Sequence, residues 1–350
     1  MRVFHVIFSL DIGGTEKQLL VILPELQKTI HNEVVCLVGH GSVGTALQNN
    51  GIPVHYLNGS GKGDIKIAIR LWKLLRQKKP SAVITYLIYA DIVGRIIGRL
   101  SGIKVIIESH RSSLFGSPWW HQVDRFTRWL VTHYTSQTNV TKKLLHRVLK
   151  VPLQSITVIP NAVASLQKTS PTNEIIITCV ANLKPEKDLN VLLSAFEAVY
   201  PRYPDAKLWL VGEGPERKRL QQQIASYTSK HNITFWGSQT DVPAILTKSS
   251  IFVLPTRIEG MSNALLEALS TGLPCLTSDI PVNEEIISDQ HNGLLFKTGD
   301  IESLIEQLEK LLSNPELRLQ LGQTAQEYAQ ETYSIKTVSE QWLRLLDTLV

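Results

Sequence analysis

The sequence predicts an α/β protein made of two successive doubly wound domains, and three observations carry that prediction. Apolar runs of strand length alternate with helical stretches along the whole chain, the pattern of βαβ units and parallel sheets. A polar, aperiodic stretch, "SLQKTSPTN", interrupts the alternation at 165–173 and reads as a linker. The charge divides at the same place. Residues 1–165 hold 20 Lys+Arg and 8 Asp+Glu, a net of +12, while the remaining 16 basic and 23 acidic residues leave −7. At 350 residues, two cores are favoured over one. The expected division is 1–165, 166–332 and a terminal helix over 333–350 that braces the N-terminal domain.

In the first half, strand "RVFHVIFSL" leads through Gly13 and Gly14 to a helix from about Thr15. Strand "EVVCLVG" is followed by helix "SVGTALQNNG" and the short strand "PVHYL". Helix "IKIAIRLWKLLRQKK" ends at Pro80, which introduces strand "AVITYL"; "KVIIESH" is the next strand. "VDRFTRWLVTHYT" and "QTNVTKKLLHRVL" read as helices, and "ITVIPNAV" ends the half. The alternation then restarts: "EIIITCVAN", helix 188–200, "KLWLVGEG", helix 215–228, "ITFWG", helix 241–248, "IFVLP", helix 263–271 and "PCLTS". Amphipathic helices follow at 301–313, 315–331 and 335–349.

Several classes are excluded. Cys36, Cys179 and Cys275 lie in apolar runs, which predicts reduced thiols and a cytoplasmic protein rather than a disulfide scaffold. The apolar run at the N-terminus is too short for a signal peptide, and no window is long and apolar enough for a membrane span. Without a secretory signal the N-x-[ST] triplets at Asn58, Asn139 and Asn232 carry no weight. No metal-ligand spacing occurs, and no nucleic-acid-binding motif accompanies the basic half.

Chemistry concentrates where strands end, because ligands of doubly wound sheets sit beyond the carboxyl ends of strands. Lys184 and Lys187 fall in such a turn before a helix that Asp188 is placed to cap. They read either as solvated loop lysines or as phosphate ligands beside a helix N-terminus. Gly212 and Gly214 permit either a tight turn or close approach to a ligand. In "RIEGMSNALLEALSTG", Ser262 or Asn263 can cap the next helix, leaving its first N–H groups as an anion site. Glu259 precedes that site and Glu267 lies one turn beyond it. Carboxylates accept pairs of hydroxyl hydrogen bonds, so Glu259 on a sugar, Glu267 on a ribose and the helix end on a pyrophosphate outline a nucleotide sugar. In the first half, Gly13-Gly14 form a weak phosphate-loop shape. His110 and Arg111 end a strand and read equally as structural or functional.

Taken together, "ANLKPEKDLNVLLSAF", "LVGEGPER", "VLPTRIEGMSNALLEALSTGLPC", "EEII" and "NGLLF", in that order, resemble the family-4 glycosyltransferases. These are retaining nucleotide-sugar transferases of GT-B architecture, with two Rossmann-like domains facing across a cleft. The resemblance spans nearly the whole chain and is strongest from Ile175 to Phe296. It implies that Gly13 and Gly14 approach the donor phosphates and that Lys187 binds the pyrophosphate. It places Glu259 on the donor sugar, Glu267 on the ribose and His110 beside the transferred sugar. The backbone of Gly260, Met261, Ser262, Asn263, Ala264 and Leu265 would line sugar and phosphates. One departure stands out: Asn182 occupies the position of a usual arginine, so one phosphate cation is missing, with Arg257, Arg111 or Lys184 available to compensate.

The resemblance further implies transfer of a hexose or amino sugar from a nucleotide sugar, UDP-linked by commonness alone, to a lipid-linked glycan in surface polysaccharide or glycolipid synthesis. No cofactor or metal is expected, since lysine and helix N–H groups replace the cation. Two amphipathic stretches would serve a peripheral membrane contact. One is the stripe Ile67, Leu71, Leu74 and Leu75 beside Trp72. The other is Phe115, Trp119 and Trp120 beside Arg125 and Arg128. The alternative for the first is a core-facing helix with a solvated basic face. Two rival functions remain: an inactive nucleotide-sugar-binding subunit, kept open by Asn182, and a GT-B-type nucleotide-sugar epimerase.

Overall fold

The computed structural model describes residues 1–111, 118–166 and 174–350, with only the backbone of 118–121. Phe115, the side chains of Trp119 and Trp120, and most of the linker, 167–173, lie outside what is described. The chain divides into two compact units, Met1–Ala162 with Ile335–Val350, and Val163–Ser334.

The first unit runs β1 (Arg2–Ile7), α1 (Gly14–Leu26), β2 (His31–Val38), α2 (Ser42–Asn49), β3 (Val54–Gly59), α3 (Ile65–Lys78), β4 (Ala82–Tyr86), α4 (Ile88–Leu100), β5 (Val105–His110), α5 (Pro118–Thr127), β6 (His133–Ser136), α6 (Asn139–Leu149) and β7 (Ile156–Val158). Its parallel sheet has the order β3-β2-β1-β4-β5-β6-β7. Connections from β3 onward all step in one direction, so right-handed crossovers place α3 to α6 on one face; α1 and α2 step the other way and cover the opposite face. Alternation along β1 feeds both cores. Phe4 and Val6 pack with Ile67, Leu71 and Leu75 of α3, and Val3 and Ile7 pack with Leu19 and Leu23 of α1. The last helix, α14 (Ile335–Leu349), joins the α1 side through Trp342 and Leu346.

The second unit runs β8 (Ile176–Val180), α7 (Leu189–Val199), β9 (Lys207–Val211), α8 (Arg217–Gln223), β10 (Ile233–Gly237), α9 (Val242–Leu246), β11 (Ile251–Leu254), α10 (Asn263–Ser270), β12 (Cys275–Ser278), α11 (Pro281–Glu284), β13 (Leu294–Phe296), α12 (Ile301–Ser313) and α13 (Pro315–Tyr333). Its parallel sheet has the order β10-β9-β8-β11-β12-β13. α7 and α12 pack on one face and α10 and α13 on the other.

Two elements of the first unit differ from the sequence reading, and α11 and β13 of the second unit were not part of it. α4 was not anticipated. Its Gly94 and Gly98 weaken the helical pattern, yet they let the helix lie directly on Thr85 and Ile106 of the sheet. The stretch "VDRFTRWLVTHYT" does not stay helical. α5 stops at Thr127, and His133–Ser136 forms β6, paired in parallel with β5 and β7. β-branched and aromatic residues win there because a buried strand position suits them. Among the described residues, no helix is long and apolar enough to cross a membrane.

Candidate active site

In the second sheet the winding reverses between β8 and β11, which lie side by side. That reversal is where a doubly wound sheet opens a ligand crevice. Lys187 comes from the turn after β8 and Glu259 from the loop after β11. Nζ of Lys187 lies 2.5 Å from Oε1 of Glu259, with their side chains 15% and 12% exposed. The ion pair is therefore largely sheltered, and each group satisfies the other.

Three further contacts stitch the two loops together. The amide of Arg257 donates to the Glu186 carbonyl at 2.8 Å, and Oγ1 of Thr256 donates to the same carbonyl at 3.1 Å. Nε of Arg257 donates to Oδ2 of Asp188 at 2.5 Å. Asp188 stands at the start of α7 but does not cap it with its side chain. Its backbone is left-handed, φ 51°, and its carboxylate is committed to Arg257. The capping role expected for Asp188 is thus replaced by a bridge between loops.

Ser262 caps α10, accepting the Leu265 amide at 3.2 Å. The first turn of the helix is therefore firmly placed, and its remaining N–H groups are of the kind that can hold an anion. Met261 and Leu265 are buried in the core, whereas Gly260, Asn263, Ala264 and Glu267 are half-buried. Glu267 sits one turn into α10, and its carbonyl accepts Oγ1 of Thr271 at 2.7 Å. What Met261 and Leu265 can offer a ligand is backbone, because their side chains are spent on packing.

Gly212 and Gly214 have a packing reason. Gly212 has φ 137°, and a Cβ there would run into the Ala181 carbonyl; one on Gly214 would meet the Leu183 carbonyl. The amide of Leu183 donates to the Glu213 carbonyl at 2.9 Å, so the two strand-end turns interlock. Neighbouring Asn182 is exposed and brings no charge, and Lys184 is exposed as well. Beside Lys187, Arg257 is the second cation tied into the stitched loops.

In the first unit, Gly13 is the N-cap of α1 in extended backbone. A Cβ on Gly13 would collide with the carboxylate of Glu16, which folds back over the helix start and is bonded by its own amide. Burial raises the Glu16 carboxyl above the usual range. His110 ends β5. Arg111 donates to Oγ of Ser109 at 3.0 Å and to Oδ1 of Asn161 at 2.6 Å, and lies 5.8 Å over the Tyr86 ring, so it is held within its own unit. Leu87, just after β4, has φ 68°, a conformation uncommon for leucine, and sits at the winding reversal between β1 and β4. Sequence reasoning missed Leu87, Glu16 and the Asp188–Arg257 bridge. Only Glu16, three residues beyond Gly13, carried a local signal. Among the described residues, no group of three or more His, Cys, Asp or Glu side chains could hold a metal ion.

Comparison with known proteins now decides the family. The model for Glycosyltransferase Family 4 matches residues 12–165, and that for Glycosyl transferases group 1 matches 164–328. The UDP-Gal:alpha-D-GlcNAc-diphosphoundecaprenol alpha-1,3-galactosyltransferase of Escherichia coli is 30% identical over 281 residues, 73% of this chain and 72% of that protein. This chain belongs to the family-4 glycosyltransferases. The N-acetyl-alpha-D-glucosaminyl L-malate synthase of Bacillus anthracis is 28% identical over 49% of this chain and 44% of its own length, so the chain spans less than half of that relative. Among solved structures, Anabaena Alr3699/HepE in complex with UDP superposes with a TM-score of 0.89 at 17% identity, covering 100% of both chains. The two units of this family-4 transferase are the two Rossmann-like domains of the GT-B architecture.

Proposed function

We propose that this family-4 glycosyltransferase is a retaining, metal-independent enzyme. It moves a hexose or amino sugar from a UDP-linked donor to a lipid-linked glycan in surface polysaccharide or glycolipid synthesis at the cytoplasmic side of a membrane. The observation that carries the reading is the sheltered Lys187–Glu259 pair at the β8/β11 reversal, beside the Ser262-capped start of α10. Two comparisons support the choice of substrates. The Escherichia coli relative is named for UDP-Gal and a diphosphoundecaprenol acceptor, and HepE has been crystallised with UDP and with UDP-glucose.

The chemistry follows from those groups. Donor binding exchanges the Lys187–Glu259 contact for two others: Lys187 turns to the pyrophosphate, and Glu259 is released to the hydroxyls of the transferred sugar. The α10 N–H groups share the phosphate charge, and Glu267 accepts from the ribose hydroxyls. The acceptor hydroxyl attacks the anomeric carbon from the face on which the bond to the diphosphate breaks. The departing diphosphate oxygen takes the acceptor's proton, so no protein base is required. His110 lies on the acceptor side of the sugar, and Gly13 and Gly14 approach the donor phosphates. Arg257 supplies the positive charge that Asn182 does not.

The test is the anomeric configuration of the product by NMR, using UDP-galactose and UDP-glucose with a lipid-linked acceptor, with and without EDTA. An α-linked product from the α-configured donor, formed at an unchanged rate in EDTA, is expected. A β-linked product, or loss of turnover restored by a divalent cation, contradicts the proposal.

A further inference from the structure

Arg111 has no task in the transfer chemistry above, yet the first unit holds it from three sides. Nε donates to Oγ of Ser109 at 3.0 Å, Nη1 donates to Oδ1 of Asn161 at 2.6 Å, and the guanidinium lies 5.8 Å over the Tyr86 ring. The donors of Nη2 have no partner among the described residues. Nor does a carboxylate offset the charge there. Burial lowers the pKa of Arg111, and the group acting against that is the Tyr86 hydroxyl. Arg95 of the same unit shows the contrast. It is fully buried, but it meets Oε2 of Glu108 at 2.9 Å and Oδ1 of Asp124 at 2.5 Å. A sheltered cation without a counter-ion is costly, and Arg111, half-buried, is such a cation.

Asn161 fixes a second group beside it. A guanidinium only donates, so Asn161 must turn its oxygen to Arg111. The same Oδ1 accepts Nε2 of Gln137 at 2.7 Å, so Gln137 must spend its amino group there and keep its oxygen for another partner. That Oε1 is buried and accepts no hydrogen bond among the described residues, with Gln137 5% and Asn161 2% exposed. Arg111, Gln137 and Asn161 follow the ends of β5, β6 and β7, which are neighbours in the sheet and end where a doubly wound sheet takes its ligands. α6 begins two residues beyond Gln137 and adds the positive end of its dipole.

We propose that Arg111 and Gln137, braced by Asn161, bind the acceptor where its sugar is joined to phosphate. Nη2 of Arg111 donates to a phosphate oxygen, and Gln137, turning toward the ligand, accepts from a hydroxyl of the attached sugar. The two unmet groups select this chemistry together. One lacks an anion and the other lacks a donor, and a sugar phosphate brings both. A neutral glycan would leave Arg111 without a counter-ion. The acceptor rather than the donor supplies the phosphate, because Lys187, Arg257 and the start of α10 already serve the donor and because His110, placed on the acceptor side, directly precedes Arg111. The inference rests on the reading of the acceptor as a lipid-linked glycan.

The test is calorimetric titration of the full chain with decyl N-acetylglucosaminyl diphosphate, with the phosphate-free decyl N-acetylglucosaminide and with UDP. The unaltered protein should prefer the diphosphate compound to the plain glycoside. Arg111→Gln should shrink that preference about 30-fold, the loss of one charge-assisted phosphate contact, and move UDP affinity less than twofold. Gln137→Leu should weaken both acceptors by a similar factor, about fivefold, since it removes only the partner of the hydroxyl. Gln137→Glu supplies the counter-ion that Arg111 lacks. Its thermal midpoint should hold or rise while binding of the diphosphate compound falls about tenfold, a combination that a purely structural Arg111 would not give. Thermal midpoints check that the other variants fold. Three results overturn the proposal: no preference for the diphosphate compound in the unaltered protein, equal weakening of UDP and of that compound by Arg111→Gln, or a stabilised Gln137→Glu that binds the acceptor as before. Turnover of UDP-galactose with the same acceptors is followed alongside, so that selective binding without transfer counts against the transferase reading alone.

Discussion

Nζ of Lys187 and Oε1 of Glu259 meet at 2.5 Å, although the residues are 72 apart in sequence and arise from different strands. Each neutralises the other in a site that is only slightly exposed. If the donor divides the pair between its phosphates and its sugar, both groups act in the same step. Lys187→Ala and Glu259→Gln should each cost about 2–4 kcal/mol of transition-state stabilisation, read as kcat/KM. The double variant should lose less than the sum, because removing one partner already disrupts the other. Strict additivity in steady-state kinetics would refute the coupling.

Arg257 and Asp188 hold the two loops at a second point. Asp188→Asn keeps a residue that tolerates the left-handed backbone but removes the charge. It should lower kcat/KM about tenfold, a positioning effect of roughly 1.4 kcal/mol, with the thermal midpoint little changed. Arg257→Lys should not rescue fully, since an ammonium group lacks the planar guanidinium geometry. Activity within twofold of the parent in both variants would remove Arg257 from the phosphate site.

Gly212→Ala should cost about 3 kcal/mol, because φ 137° is strained for alanine and its Cβ would run into backbone rather than a movable side chain. For a unit of this size that corresponds to a fall of roughly 10 °C in the melting temperature. Calorimetry of the variant tests this. An unchanged midpoint would mean that the turn has room the structure denies it.

Two buried groups in the first unit give pH dependences of opposite sign. Burial lowers the His5 pKa to about 4, and the neutral ring is bonded to Tyr86 and Asn32 at 2.9 and 3.0 Å. Between its ordinary value near 6.5 and about 4, the unfolded chain holds the proton and the fold does not. Stability therefore falls on acidification through that window, by at most about 3 kcal/mol. Burial, with the charge of Asp124 adding, pushes Asp91 up to about 7. From about 4 to 7 the fold holds that proton, so stability falls as pH rises. His5→Gln should remove the first slope and Asp91→Asn the second, as measured by urea unfolding across pH. Matching slopes in the two variants would contradict this account.

The second unit was largely legible because its strands are short apolar runs, most of them beside a Gly or Pro, and the strand-end turns follow directly. Ser262 could be read as a cap because a hydroxyl before a helical run has one obvious use. Asp188 looked like the same device, but a partner 69 residues away took its carboxylate instead, and no local pattern marks such a pairing. α4 was hidden because its glycines serve contact with the sheet, while β6 was hidden by its continuity with a helical run. The α3 stripe was real yet faced inward. Its exposed counterpart was masked because lysines and arginines interleave with Ile65, Ile69 and Trp72.

Gly13 separates two explanations that sequence alone could not. If it only makes room for Glu16, Gly13→Ala should weaken donor binding, and adding Glu16→Ala should restore it. If Gly13 itself approaches the donor phosphates, the double variant should keep the raised KM, as the proposed role requires. Donor titrations of the single and double variants distinguish the cases, with a loss of about tenfold for one displaced phosphate contact.

The most direct test is calorimetric titration of the protein and of Lys187→Ala with UDP, beside GDP, ADP and CMP. The account predicts micromolar binding of UDP that weakens at least about 30-fold in the variant, the loss of roughly 2 kcal/mol from one charge-assisted phosphate contact. Equal UDP affinity in both proteins, or no binding of any of the four nucleotides, would contradict a donor site built on Lys187 and the start of α10.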